Sequence, residues 1–163
     1  NGGIYVLPRI LAMDENELPT GFRVMKETTS DWLRYMMREV VLHGTARRAN
    51  VKGYDVGGKT GTAKNTENGK YVDKYHTIFL AAFPMVAPKY SLLVFLDEPK
   101  KYDTTCGSLD ASCNAVPVAG KIIAETAAML GVEPVDAKEI EKDIAKYQNG
   151  SSVDVSGENI YEI

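Results

Sequence analysis

Two rhythms of hydrophobic positions run along this chain. Between Thr28 and Gly44, the residues Leu33, Met36, Met37, Val40 and Val41 recur every three or four positions. That period predicts an amphipathic helix starting at Thr28 or Ser30 and ended by Gly44, a residue suited to a helix C-terminus. From Asp55 onward the pattern becomes extended. Asp55 to Lys64 reads as a strand bent open at Gly61. His76 to Val86 and Lys89 to Leu96 are β-rich runs parted by a turn at Ala87-Pro88. Polar Asn65 to Asp73 reads as a hairpin loop, so three strands follow in meander order. The helical period returns from Val116 to Leu130, with Ala119, Ile122, Ile123, Ala127 and Leu130 on one face, Pro117 in the first turn and Gly131 as the stop. Asp136 and Glu139 have capping-box spacing ahead of a third helix, Ala137 to Tyr147, with Ile140, Ile144 and Tyr147 on one face.

The remaining segments lack either period. Residues 1 to 27 form an irregular lead-in with one apolar run, Ile4 to Leu7. Asp97 to Cys113 is a loop, and Gln148 to Ile163, rich in Ser, Gly, Asn and acids, reads as disordered. The expectation is an α+β body over residues 1–134, an antiparallel sheet covered by helices. Pro134 bounds it, with a C-terminal helix over 135–147 and a tail over 148–163.

Composition narrows the functions. A length of 163 residues suits one domain, and 44% hydrophobic content suits a globular core. A net charge of −3 without a basic face argues against nucleic-acid binding, and Arg47-Arg48 reads as a solvated loop. No apolar stretch approaches a membrane span, so no direct membrane contact by this chain is expected. Cys106 and Cys113 lack metal-site spacing, and His43 and His76 are too isolated for a metal or a triad, so no metal and no cofactor is implied. The cysteines admit either a disulfide or two free thiols. His43 suits a helix end through the dipole. Asp97 and Glu98, adjacent at a strand end, point apart and read as a turn anchor rather than an acid–base pair.

The candidate chemistry lies in Gly57-Gly58-Lys59-Thr60-Gly61-Thr62-Ala63. Gly53 to Thr60 matches the phosphate-binding pattern G-x-x-x-x-G-K-[ST], which would make this an NTP-binding protein. That loop needs a buried strand before it and a helix after it. Here basic, polar Ala46 to Lys52 precede it, and turn-prone residues without a helical face follow it. The other reading, Lys59-Thr60-Gly61 as the third active-site motif of penicillin-interacting serine transpeptidases, fits a strand.

Seven blocks in order carry a wider resemblance. They are Asn1-Gly2-Gly3 with Pro8, the helix Ser30 to Val41, Gly44-Thr45-Ala46-Arg47-Arg48-Ala49, Gly57 to Lys64, His76-Thr77-Ile78-Phe79, Leu96-Asp97-Glu98-Pro99, and Asn114 to Ile123. Over residues 1 to 134 the sequence resembles the C-terminal part of the transpeptidase domain of a class B penicillin-binding protein, of the septal cell-division type. The motif S-x-x-K, which carries the family's nucleophile, does not occur. Ser112-Cys113-Asn114 matches S-x-N but follows the K-T-G motif instead of preceding it, and reads as coincidence. The chain is therefore expected to be a fragment beginning after two of the three active-site motifs.

The resemblance implies a β-lactamase/transpeptidase-like fold and acyl transfer onto a serine outside this chain. Lys59 and Thr62 are the implied catalytic contributors. Gly58, Lys59, Thr60, Gly61 and Thr62 are the implied contacts to a D-Ala-D-Ala stem peptide or a β-lactam. The Thr62 backbone N–H would be one oxyanion donor, and Gly61, with Gly58 at the sheet's entrance, would let an extended peptide lie close. Implied partners are peptidoglycan stem peptides, β-lactams, the other half of the domain and division proteins. The implied location is the periplasmic side of the inner membrane, where a disulfide persists, with an upstream anchor. A non-catalytic scaffold or β-lactam sensor of the same fold is the alternative.

Overall fold

The computed structural model describes residues 2–11, 21–100, 106–136, 138–140 and 142. The lead-in, expected to be irregular, contains a two-stranded antiparallel ribbon of Ile4–Tyr5 (β1) and Phe22–Arg23 (β2). The Tyr5 and Phe22 rings meet at 5.4 Å. The Arg23 guanidinium donates to Gly2 O at 2.8 Å and Met25 O at 3.0 Å. Two-residue strands are too short to leave a period in the sequence.

Helix α1 spans Glu27–Leu42. Its packed face is rotated from the one the apolar period suggests. Arg38 and Val41 are its buried residues, whereas Leu33 and Met36 are 41% and 50% exposed. The buried guanidinium explains the rotation, because it meets a buried carboxylate, Asp55, at 3.0 Å. His43, at the end of the helix, pairs with Glu39 at 2.8 Å. Gly44 is needed here for space, not for a left-handed turn, since a Cβ there would lie 2.9 Å from Val40 Cα.

Three strands follow in antiparallel order β3-β4-β5: Gly57–Glu67 (β3), Lys70–Phe83 (β4) and Tyr90–Asp97 (β5). The meander expected from the sequence is present, but the hairpin loop placed at Asn65–Asp73 is only two residues long. Glu67 pairs with Lys70, and Asn68 (φ 52°) and Gly69 (φ 76°) make the turn. Both positions need positive φ, which Asn-Gly supplies in a type I′ turn. The ladder is irregular between Lys64, opposite Tyr75, and Thr66, opposite Tyr71.

One sheet face is closed. Thr77, Phe79, Ala81 and Phe83 of β4 are buried, and Val94 of β5 joins them in the core. Helix α2, Ala115–Thr126, packs on β4 and β5 and buries Ala115, Val116, Ala119, Gly120 and Ile123. Asn114 caps it by accepting from the Ala115 N–H at 2.6 Å. Helical winding continues to Leu130, where Gly131 (φ 69°) stops it. The Val132 N–H reaches Ala127 O at 3.0 Å and the Gly131 N–H reaches Ala128 O at 3.1 Å, the paired bonds of a Schellman ending. The other sheet face is open: Leu80, Leu93 and Phe95 are 46%, 62% and 51% exposed.

Past Pro134, the Val135 N–H bonds Gly53 O at 2.8 Å, a helical turn begins at Asp136, and Ile140 is buried. Ala137, most of the predicted third helix and the tail over 148–163 lie outside the described residues. No helix among the described residues is long and apolar enough to cross a membrane.

Candidate active-site wall

Strand β3 presents Lys59, Thr60, Gly61 and Thr62 at the edge of the sheet, in register with Leu80, Phe79, Ile78 and Thr77 of β4. Lys59 and Thr60 are therefore mid-strand residues. A phosphate-binding loop needs them at a helix N-terminus, so the NTP-binding alternative is excluded by this geometry.

Alternation along the strand divides the side chains between two faces. Lys59 and Gly61 lie on the open face. Thr60 and Thr62 lie on the face shared with Phe79 and Thr77. The Lys59 ammonium is exposed and donates to Thr60 O at 2.6 Å, which holds the cation against the strand. The Thr60 hydroxyl lies 2.9 Å from that of Thr45, in the turn after α1. The Thr62 hydroxyl accepts the Ala111 N–H at 3.3 Å. Thr77, the register partner of Thr62, is fully buried, and its hydroxyl has no hydrogen-bond partner among the described residues.

The two glycines differ. A Cβ at Gly61 would meet only Ile78 Cβ, at an ordinary 3.6 Å, leaving the strand open to an incoming chain. A Cβ at Gly58 would lie 2.5 Å from Phe79 Cζ and 2.6 Å from Leu80 O. Gly58 is buried, so close core packing accounts for it rather than the approach of a ligand.

The strand is held from behind by a polar hub that the apolar pattern does not reveal. Arg38 of α1 donates to Val56 O at 2.7 Å and to Asn50 Oδ1 at 3.2 Å. Burial lowers the Arg38 guanidinium from its ordinary pKa, while Asp55 and Glu39 act to raise it. Asp55 also accepts the Val86 N–H at 3.0 Å, and Arg34 donates to Val86 O at 2.8 Å. Helix α1 is thereby joined to the entry of β3 and to the turn between β4 and β5.

On the far side, Cys106 and Cys113 form a disulfide, which resolves the two possibilities the sequence left open. Arg48, expected in a solvated loop, donates to Cys106 Sγ at 2.6 Å and to Ser112 O at 3.2 Å. The S-x-N match is taken up locally: Cys113 is in the disulfide, and Asn114 caps α2 and donates to Leu109 O at 3.0 Å. Asp97 and Glu98 pair outward, with His76 at 2.7 Å and Lys74 at 3.4 Å. Thr45 is the site neighbour that sequence reasoning passed over. It stands in the Gly44-Thr45-Ala46 block, but no local pattern ties it to a strand fifteen residues on.

A family model described as the penicillin binding protein transpeptidase domain matches residues 1–123. The chain belongs to that family. It is 39% identical over 127 residues to the stage V sporulation protein D of Bacillus subtilis, covering 77% of this chain and 18% of that protein. It is 32% identical over 143 residues to a probable peptidoglycan D,D-transpeptidase FtsI of Caulobacter vibrioides, covering 82% of this chain and 24% of that one. Among solved structures, the apo transpeptidase domain of Burkholderia pseudomallei penicillin-binding protein 3 superposes with a TM-score of 0.71 at 34% identity, covering 82% of this chain and 39% of that chain. The aztreonam complex of Mycobacterium tuberculosis penicillin-binding protein 3 gives a TM-score of 0.67 at 27% identity, covering 83% of this chain and 33% of that one. The chain thus spans about a quarter or less of the length of these two curated relatives.

Proposed function

We propose that this chain supplies one wall of the active site of a serine D,D-transpeptidase that cross-links peptidoglycan stem peptides and is acylated by β-lactams. One observation carries the reading: Lys59 and the Thr45, Thr60 and Thr62 hydroxyls line a sheet edge that Gly61 leaves open. An anionic, extended D-Ala-D-Ala terminus suits such an edge. Lys59 supplies a positive charge for its carboxylate, and the hydroxyls of Thr60 and Thr62 can donate to the same group.

The serine belongs to another part of the parent protein. Its Oγ attacks the penultimate D-Ala carbonyl and the terminal D-Ala leaves. An amine from a neighbouring stem then takes the acyl group and frees the serine. A β-lactam opens on the same oxygen and stays attached. In each step the carbonyl oxygen becomes an oxyanion, for which the Thr62 backbone N–H is one donor. Loss of one such donor lowers the rate by about a hundred- to a thousandfold. Lys59 also assists proton movement at the serine. On this reading the parent protein works on the periplasmic side of the inner membrane, held by an anchor elsewhere in its chain, alongside division proteins.

Turnover of a D-Ala-D-Ala-terminated pentapeptide by the parent protein tests this assignment. The Thr60→Val variant should raise KM about tenfold or more, through the lost carboxylate contact, at unchanged melting temperature. An unaltered KM would remove Thr60 from the site.

A further inference from the structure

We propose that the Cys106–Cys113 disulfide is a positioning device that aims the Thr62 hydroxyl. The proposal rests on the reading that Thr62 lines the substrate site. The disulfide closes a ring whose ends are 5.7 Å apart at Cα. Within the ring, the Asp110 N–H bonds Ser108 Oγ at 3.1 Å, and the Cys113 N–H bonds Asp110 O at 2.9 Å. These contacts form the short turn Ala111–Cys113. Ala111, the first residue of the turn, is buried, and its N–H reaches the Thr62 hydroxyl.

The ring is tied down on two sides. Arg48 holds it through Cys106 Sγ and Ser112 O, and Asn114 joins Leu109 O to the start of α2. Arg48 also lies in the turn that follows Thr45, the partner of Thr60.

Accepting the Ala111 N–H commits a lone pair of Thr62 Oγ1 and leaves its O–H free to turn outward, toward an anion. The alternative partner lies on the same sheet face: Thr77, directly opposite in register, has a buried hydroxyl without a partner among the described residues. Cross-strand Thr pairs bond readily. Without the ring, the Thr62 O–H turns inward to Thr77 and the wall loses a donor.

The test is the second-order rate of acylation of the complete parent protein by a fluorescent penicillin, measured as a double-mutant cycle. Cys106→Ser/Cys113→Ser should slow acylation about tenfold in the native background and leave the already slowed Thr62→Ala background unchanged. Replacing the Asp110–Ala111 amide by an ester keeps the disulfide and the Ala111 methyl and deletes only the N–H. This variant should show the same loss even if the cysteine variant folds poorly. Equal loss from the cysteine substitutions in both backgrounds, or normal acylation in the ester variant, overturns the positioning role. If Thr62→Ala alone acylates normally, the assignment of Thr62 to the site falls, and this proposal with it.

Discussion

Gly58 and Gly61 share one strand and one motif, yet opposite things surround them. At Gly58 the missing Cβ is replaced by the Phe79 ring, itself fully buried. Overpacking of that kind costs about 1–3 kcal/mol. Gly58→Ala should therefore lower unfolding free energy in denaturant by that amount. Gly61→Ala, with only Ile78 Cβ at 3.6 Å, should stay within about 0.5 kcal/mol of the parent. It should instead slow penicillin acylation about tenfold, because the methyl enters the space of the ligand. The reverse assignment of losses would mean the two glycines have been misread. The motif was legible in the sequence as a string, but which glycine serves the core depends on the residue across the ladder, which no spacing reveals.

Among the elements, α1 departs most from its sequence pattern. The periodic set included Leu33 and Met36, both exposed, and missed Arg38, which is buried. Apolar counting cannot find a buried ion pair whose partner, Asp55, lies beyond the helix and its following turn. Removing one partner of such a pair costs about 3–5 kcal/mol, because the other charge is stranded. Arg38→Ala should lose that much in the parent protein, and a loss below about 1 kcal/mol would mean the hub does not hold β3. Burial disfavours the charged guanidinium, so the penalty is fully present while Arg38 is protonated and lifts only above its folded-state pKa. No pH dependence between about pH 5 and pH 9 should come from it, since arginine stays charged throughout. The strands were easier to read. β4 and β5 carry β-rich apolar runs, and their order followed from short connections. The loop between β3 and β4 is shorter than the sequence pattern suggests because the facing strand ends are polar and lack an apolar period, although Asn68-Gly69 marks the turn.

As a whole, the molecule has one finished face and one unfinished face. Helix α2 closes the side of Phe79 and Ala81, while Leu80, Leu93 and Phe95 on the other side, and Leu33 and Met36 of α1, remain open. Strand β3 adds an edge with no neighbour among the described residues. The chain covers 39% of the Burkholderia domain it superposes on. Expressed alone, residues 1–163 should associate in sedimentation or melt at low temperature without a sharp transition, and a monomer with a cooperative, high-temperature melt would contradict this. The wall itself is tested by acylation of the complete parent protein by a labelled penicillin, read by intact mass beside Lys59→Ala. One adduct per molecule should form in the parent, and the rate should be about a hundredfold or more lower in the variant. An adduct that forms equally fast without the Lys59 ammonium, or no adduct in a folded parent, would contradict this assignment.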